Sequence, residues 1–441
     1  MKKACWLGLC GIFMFTGCVS YSESMAGFEQ EKMNRTRIDF SKNRDQVIDY
    51  IRKYIPDVSD EQMLQWENEK SLECMTIDGK KMYFYNAAPN LFRINKEAAA
   101  IKIAKDGIAE DGKDRVNLTH VPLVVSTVKA KKQNIVLPVK MHVKYSLTVQ
   151  PNAVPEGEII RCWLPYPRTD QPRQTDLKLF NTSEDKYVIA PVKYKHSTIY
   201  MEKKQEKDKP TTFSVEYEYT SSAEWHQLKP EDILPYKKNT SLYKKYTSER
   251  EKHILFTPRI KELATQIVGN EQNPLLKVKK IYEWINQIPW ASAREYSTLD
   301  NIPEYVLDNK HGDCGQVSLL FITLARYCGI PAKFQSGFMM HPGGKNMHDW
   351  AQVYFEGVGW VPVDQSFGLF PSKNQDEKYF FMTGIDSYRM IVNDDYSNSL
   401  FPAKKYHRSE TVDFQRGEVE WRKGNLYFDK WKWNLEIEYM E

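Results

Sequence analysis

Three side chains in this sequence have the types and order that thiol chemistry needs: Cys314, then His348, then Asp364. A thiol becomes a nucleophile when a base takes its proton, and an imidazole serves best as that base when a carboxylate holds it. Cys314 sits in His311-Gly312-Asp313-Cys314-Gly315. Val317, Leu320, Phe321, Leu324 and Cys328 follow at helical spacing until Gly329-Ile330-Pro331 stops them. A helix is therefore predicted from about Cys314. The unpaired N–H groups and positive dipole end of its first turn would favour a thiolate. Ala351, Val353 and Phe355 alternate with Trp350, Gln352 and Tyr354, which reads as a strand with His348 just before it. Gly357 and Gly359 turn the chain, and Trp360 to Asp364 reads as the antiparallel neighbour. Such a hairpin brings Asp364 beside His348, where it can accept from the imidazole N–H.

Other groups compete less well. His311, three residues before Cys314, is a rival base on the approach to the helix, and His341 reads as loop surface. Cys328, at the apolar end of the same helix, reads as a small core residue. The spacing of Cys314, His341 and His348 matches no familiar metal-ligand pattern. The chain has no His-Glu-x-x-His and no glycine-rich phosphate loop.

The stretch resembles the core of the transglutaminase-like superfamily, relatives of the papain-type cysteine proteases. The matching segments are Gly312-Asp313-Cys314, Ala325 to Ala332, His348-Asp349-Trp350-Ala351 and Gly359 to Asp364. Together they span roughly residues 270 to 370. The resemblance implies Cys314 as nucleophile, His348 as general base and acid, and Asp364 as the group orienting it. It also implies an upstream side-chain donor to the oxyanion, with Trp290 and Tyr296 as the candidates, and no cofactor. Asp349 departs from the pattern, standing where a small residue is expected.

Outside this core, residues 1–17 read as an export signal: Lys2 and Lys3, then a short apolar run from Trp6 to Phe15. Phe15-Thr16-Gly17-Cys18 resembles a bacterial lipobox, which makes Cys18 the expected acylated residue and membrane anchor. The expected location is the bacterial cell envelope, at the outer membrane or cell surface. Of seven cysteines, two leave with the signal and Cys18 is the anchor; the remaining four are too scattered for a disulfide framework. A net charge of +4 on 441 residues argues neither for nucleic acid nor for a strongly anionic partner, and no nucleic-acid partner is expected.

Residues 18–36 read as a polar tether and 37–130 as a mostly helical region with no visible chemistry. Ser59 and Gln62 form a potential capping box there. Residues 131–225 alternate strictly, as in Val139, Met141, Val143, Tyr145, Leu147 and Val149, and predict an antiparallel β-sandwich. Residues 226–441 hold the catalytic core, with Val419 to Trp421 and Trp431 to Tyr439 as strands extending its sheet. The expectation is an α+β chain whose papain-like, transglutaminase-like core follows a sandwich and a helical region. Its expected activity is cysteine-dependent acyl transfer on an amide of a protein, peptide or peptidoglycan, through a thioester. Hydrolysis makes it a peptidase or amidase, an amine acceptor makes it a crosslinking transglutaminase, and a cleft without turnover makes it a peptide- or glycan-binding surface protein.

Overall fold

The computed structural model describes residues 28–108 and 111–440. The predicted signal, Cys18 and the first part of the tether lie outside them. Residues 28–39 form a helix, α1. The tether expectation therefore fails from residue 28, because Arg35 is buried against the C-terminal part of the chain. It donates to the Arg408 carbonyl at 2.7 Å and lies over the Tyr427 ring. Then come α2 (Arg44–Ile51), α3 (Asp60–Asn68), the hairpin β1 (Cys74–Ile77) and β2 (Lys80–Tyr83), α4 (Ala87–Ile94) and α5 (Lys96–Asp106). Ser59 and Gln62 make the reciprocal cap of α3. Phe40, Ile51, Met63, Leu72, Phe84 and Leu91 close a separate apolar core beneath these elements. The long helix α6 (Gly112–Lys131) leaves that core and buries Val121, Val124, Val125 and Val128 against the next one.

The alternating stretch becomes β3 (Ile135–Val149), β4 (Ile159–Pro165), β5 (Gln174–Thr182), β6 (Tyr187–Ile189), β7 (Thr198–Lys204) and β8 (Thr211–Trp225). Odd positions of β3 and β8 turn inward, so Tyr145, Leu147, Phe213 and Tyr217 meet Cys162, Leu164, Ile199 and Met201 from β4 and β7. Sequence alternation alone dictates this face.

The core follows with α7 (Ser241–Tyr246), α8 (Pro258–Val268), α9 (Pro274–Ile285), α10 (Ile302–Asn309), α11 (Cys314–Tyr327), β9 (Ala332–His341), β10 (Gly344–Phe355) and β11 (Gly359–Val363). After α12 (Gln375–Lys378) come β12 (Gly384–Ile385) and β13 (Arg389–Asn393). The core sheet is antiparallel throughout, in the order β11-β10-β9-β13. Helix α11 is buried from Gly315 to Arg326 because apolar or small residues surround it on all sides. It packs on one face of the sheet, through Phe334, Ala351 and Val353. Further along β9, and in β13, Phe338, Met340, Met390 and Val392 pack instead into the sandwich core.

The final strands correct one expectation. β14 (Glu418–Trp421), β15 (Gly424–Leu426) and β16 (Trp431–Met440) do not extend the core sheet. β14 pairs with β4, and β16 pairs with β3 from Trp431↔Val149 to Met440↔Lys140. Alternation marks a strand but does not name its partner; here the partners are the open edges of both sandwich sheets.

Candidate active site

The first turn of α11 is fixed by its own cap. Asp313 accepts from the Gln316 amide at 3.0 Å, and Gln316 Oε1 accepts from the Asp313 amide at 3.2 Å. The Tyr296 hydroxyl donates to Asp313 Oδ1 at 2.6 Å. Burial pushes the Asp313 carboxyl up to about 6, although these donors pull against it. Cys314 is the first helical residue and is partly exposed to a cleft of about 520 Å³. Gly315 is required for this crowding: a Cβ there would lie 2.3 Å from the Tyr296 hydroxyl and 2.9 Å from Asp349 Oδ2.

The β10–β11 hairpin pairs Ala351 with Val363, so Asp364 follows β11 beside His348. His348 lies within β10 rather than ahead of it, since the strand begins at Gly344. His348 Nε2–H donates to Asp364 Oδ2 at 2.7 Å. The Phe367 amide donates to Asp364 Oδ1 at 3.0 Å, and Arg389 Nη1 lies 2.9 Å from Oδ2. Arg389 comes from β13, is fully buried, and binds Asp386 at 2.8 Å with its other nitrogen. Burial alone would raise Asp364, but His348 and Arg389 outweigh it and hold the carboxyl below its usual range. Burial lowers the His348 imidazole, with Asp364 opposing it.

The thiol is not bonded to this pair. Cys314 Sγ donates to Asp349 Oδ2 at 3.2 Å, and Asp349 Oδ1 accepts from Gln415 Nε2 at 2.9 Å. Burial, then the negative charges of Asp349 and Asp313, push the Cys314 thiol well above its ordinary range. The helix dipole led to the opposite expectation. A partial charge at a helix end is outweighed by burial of the thiol and, after it, by the carboxyls of Asp349 and Asp313.

Residues 261–365 match the model of the transglutaminase-like superfamily. Three curated relatives align with part of the chain. YebA of Bacillus subtilis, an uncharacterized protein, is 26% identical over 25% of this chain and 18% of its own length. An uncharacterized protein of Haemophilus influenzae is 28% identical over 27% of this chain and 41% of its own. The protein-glutamine gamma-glutamyltransferase of Pseudomonas aeruginosa is 21% identical over 30% of this chain and 21% of its own. The chain thus spans less than half the length of the curated relatives it matches. Among solved structures, a candidate cysteine protease from Cytophaga hutchinsonii superposes with a TM-score of 0.47 at 12% identity, covering 70% of this chain and 92% of that one. The periplasmic domain of TgpA from Pseudomonas aeruginosa gives a TM-score of 0.27 at 13% identity, with coverage of 58% and 97%.

Within the transglutaminase-like core, Cys314 and His348 both line the cleft, and Asp364 lies behind His348, away from it. Trp290 and Tyr296 also line it. Tyr296 commits its hydroxyl to Asp313, whereas Trp290 is 46% exposed beneath the Arg93 guanidinium. His311 is buried, pairs with the Asn309 carbonyl at 2.8 Å, and stands outside the cleft lining. His341 is fully buried at the end of β9, 3.1 Å from Asp386, which corrects its reading as loop surface. The helical region also acquires a task. Asn90 and Ser292 exchange two hydrogen bonds, Asp39 accepts from the Glu295 amide at 3.0 Å, and Tyr85 reaches the cleft wall. These contacts hold the segment from Ala291 to Thr298 against the cleft. Arg389, Asp413 and Gln415 escaped the sequence reading because they come from segments without periodicity. Asp349 alone carried a signal, as the acid in a small residue's place.

Proposed function

We propose that this protein is an exported, cysteine-dependent acyl-transfer enzyme acting on an amide bond, with Cys314 as nucleophile, His348 as base and acid, and Asp364 as the orienting carboxylate. The observation that carries the reading is the 2.7 Å His348–Asp364 hydrogen bond on the wall of a cleft that also holds Cys314. Nε2 of His348 is engaged, and Nδ1 makes no hydrogen bond to a described residue, so Nδ1 is the nitrogen left to take the thiol proton. The proton must first leave the Asp349 contact. The thiolate then adds to the amide carbonyl, and the Cys314 backbone N–H helps hold the oxyanion. His348 returns the proton to the leaving amine, and a thioester remains on Sγ. Water releases the acid and completes hydrolysis; an amine releases a new amide. The second outcome is favoured by the glutamyltransferase among the relatives. Acylation at Cys18 would fix the enzyme to the cell envelope, with protein, peptide or peptidoglycan as substrate.

The test uses protein starting after Cys18, beside Cys314→Ser and His348→Ala. Each is incubated with purified peptidoglycan and, separately, with dimethylcasein plus a fluorescent alkylamine. Product release or amine incorporation that disappears in both variants supports the reading. Equal product from wild type and Cys314→Ser, or none from any protein, returns the chain to a binding role.

A further inference from the structure

The cleft holds more acid than its bases can balance. Among the described residues, six carboxyl side chains line it against one lysine and two arginines. The bases are already committed. Arg416 spans Glu410 at 2.8 Å and Glu295 at 2.7 Å. Lys113 pairs with Asp111 at 3.1 Å, and Arg294 binds Thr298. Two of the cleft carboxyls are left over. Asp349 holds the thiol and Gln415. Asp413 is 6% exposed and lines the cleft, yet its carboxylate makes no hydrogen bond or ion pair with any described residue. Its oxygens are not enclosed by the protein but open on the cleft, where a donor from outside the protein can reach them.

We propose that Asp413 and Asp349 form a cation subsite that takes a primary ammonium group of the substrate beside Cys314. The proposal rests on the acyl-transfer reading above and adds the substrate's charge to it. A metal ion fits poorly, since no group of three or more His, Cys, Asp or Glu among the described residues is arranged to hold one. A guanidinium matches the pair less well: its planar fork would take the two free oxygens of Asp413 alone and leave Asp349, whose oxygens already have partners, without the cation. An ammonium presents three separate donors and can reach one oxygen from each acid. Burial pushes both carboxyls up, with Asp313 and Glu410 adding to it at Asp349 and Glu410 and Asp349 adding to it at Asp413, and a cation beside them relieves that repulsion. Because Asp349 Oδ2 lies 3.2 Å from Sγ, the ammonium sits next to the reacting carbonyl. It therefore belongs either to the acyl donor or to an incoming amine.

The experiment compares modification of Cys314 by three methanethiosulfonates: aminoethyl (cationic), methyl (neutral) and sulfonatoethyl (anionic). Rates are read by peptide mass spectrometry and divided by those of free glutathione. Wild type should prefer the cation over the anion by about tenfold or more, and Asp413→Asn should abolish most of that preference. Asp413→Asn is nearly isosteric, and thermal unfolding verifies its fold; Asp349→Asn supplies an independent second variant. Charge-blind labelling of wild type, a preference unchanged in both variants, or no labelling by any reagent overturns the subsite. A second arm follows the p-nitrophenol burst from p-nitrophenyl acetate with and without n-butylamine. Faster deacylation assigns the subsite to an acceptor amine. Competitive slowing of the burst assigns it to the acyl donor. Absence of both effects beside a normal burst overturns it. Absence of any burst, with the charge preference intact, overturns the acyl-transfer reading and leaves the subsite standing.

Discussion

Replacing Asp349 by an asparagine should make Cys314 more reactive. The carboxylate oxygen lies 3.2 Å from Sγ. Two unit charges at that distance repel by about 5 kcal/mol at an effective dielectric constant of about 20. Not all of this is recovered. Asp349 is itself pushed up by burial and by Asp313, which weakens its charge, and Cys314 is partly exposed to water. Retaining about 2 kcal/mol, the thiolate becomes about 30-fold more populated at a fixed pH below the thiol's range. The side-chain amide that the substitution introduces can also donate to the sulfur. The assay is iodoacetamide labelling at pH 7, followed peptide by peptide. Cys314 of Asp349→Asn should label about 30-fold faster than in wild type, while Cys74, Cys162 and Cys328 keep their rates. Equal or slower labelling would show that the carboxylate does not govern the thiol, and the account of why this helix N-terminus fails to make a thiolate would be wrong.

Other outcomes follow from the same contacts. Arg389→Met strips the buried partner from both Asp364 and Asp386. It should lower stability in guanidinium titrations by about 3–5 kcal/mol, and a loss below about 1 kcal/mol would contradict the pairing. Gly315→Ala forces a methyl into the Tyr296 hydroxyl and Asp349. It should cost about 1–3 kcal/mol and change Cys314 labelling; an unchanged urea midpoint would count against the packing. Burial raises Asp39 to about 7, with Glu295 adding to the effect. The folded state therefore binds this proton more tightly than the unfolded chain, so stability should rise as pH falls from about 8 towards about 4. Asp39→Asn should flatten that slope, and parallel wild-type and variant curves would refute the assignment. Asp364 titrates the other way: its carboxyl is lowered in the fold, so its contribution is present above the unfolded value and is lost as pH falls through the folded one.

The parts of the site that sequence made legible are local. Asp313 and Gln316 cap α11 across one turn, Gly329 ends it in a left-handed conformation, and the β10–β11 hairpin carries His348 to Asp364 within sixteen residues. Periodicity and turn chemistry act over such distances. What escaped the reading depends on long-range placement. Gln415 reaches Asp349 across 66 residues of sequence, and Arg389 reaches Asp364 from a strand on the opposite side of the sheet. The strand character of Trp431 to Met440 was plain from alternation, but its partner was chosen by the unfilled edge of β3. The thiol's state was misjudged for a related reason: the dipole belongs to the helix itself, whereas burial of the thiol and the Asp349 carboxyl from β10 come from the packing around it.

The pairing of β16 with β3 makes the order of synthesis matter. After the helical region, β3 to β8 emerge, the transglutaminase-like core is made next, and β14 to β16, which close both sandwich sheets, follow it. Until they emerge, a growing chain carries β3 with one bare edge, a surface prone to pairing with the wrong strand. Asp413, Gln415 and Arg416, which wall the cleft, are threaded just before β14. The cleft is therefore finished in the same late event that seals the sandwich. A chain made only as far as β13 has Cys314 and His348 but not Asp413, Gln415 and Arg416 around them, and the cleft is completed only once that last segment has emerged.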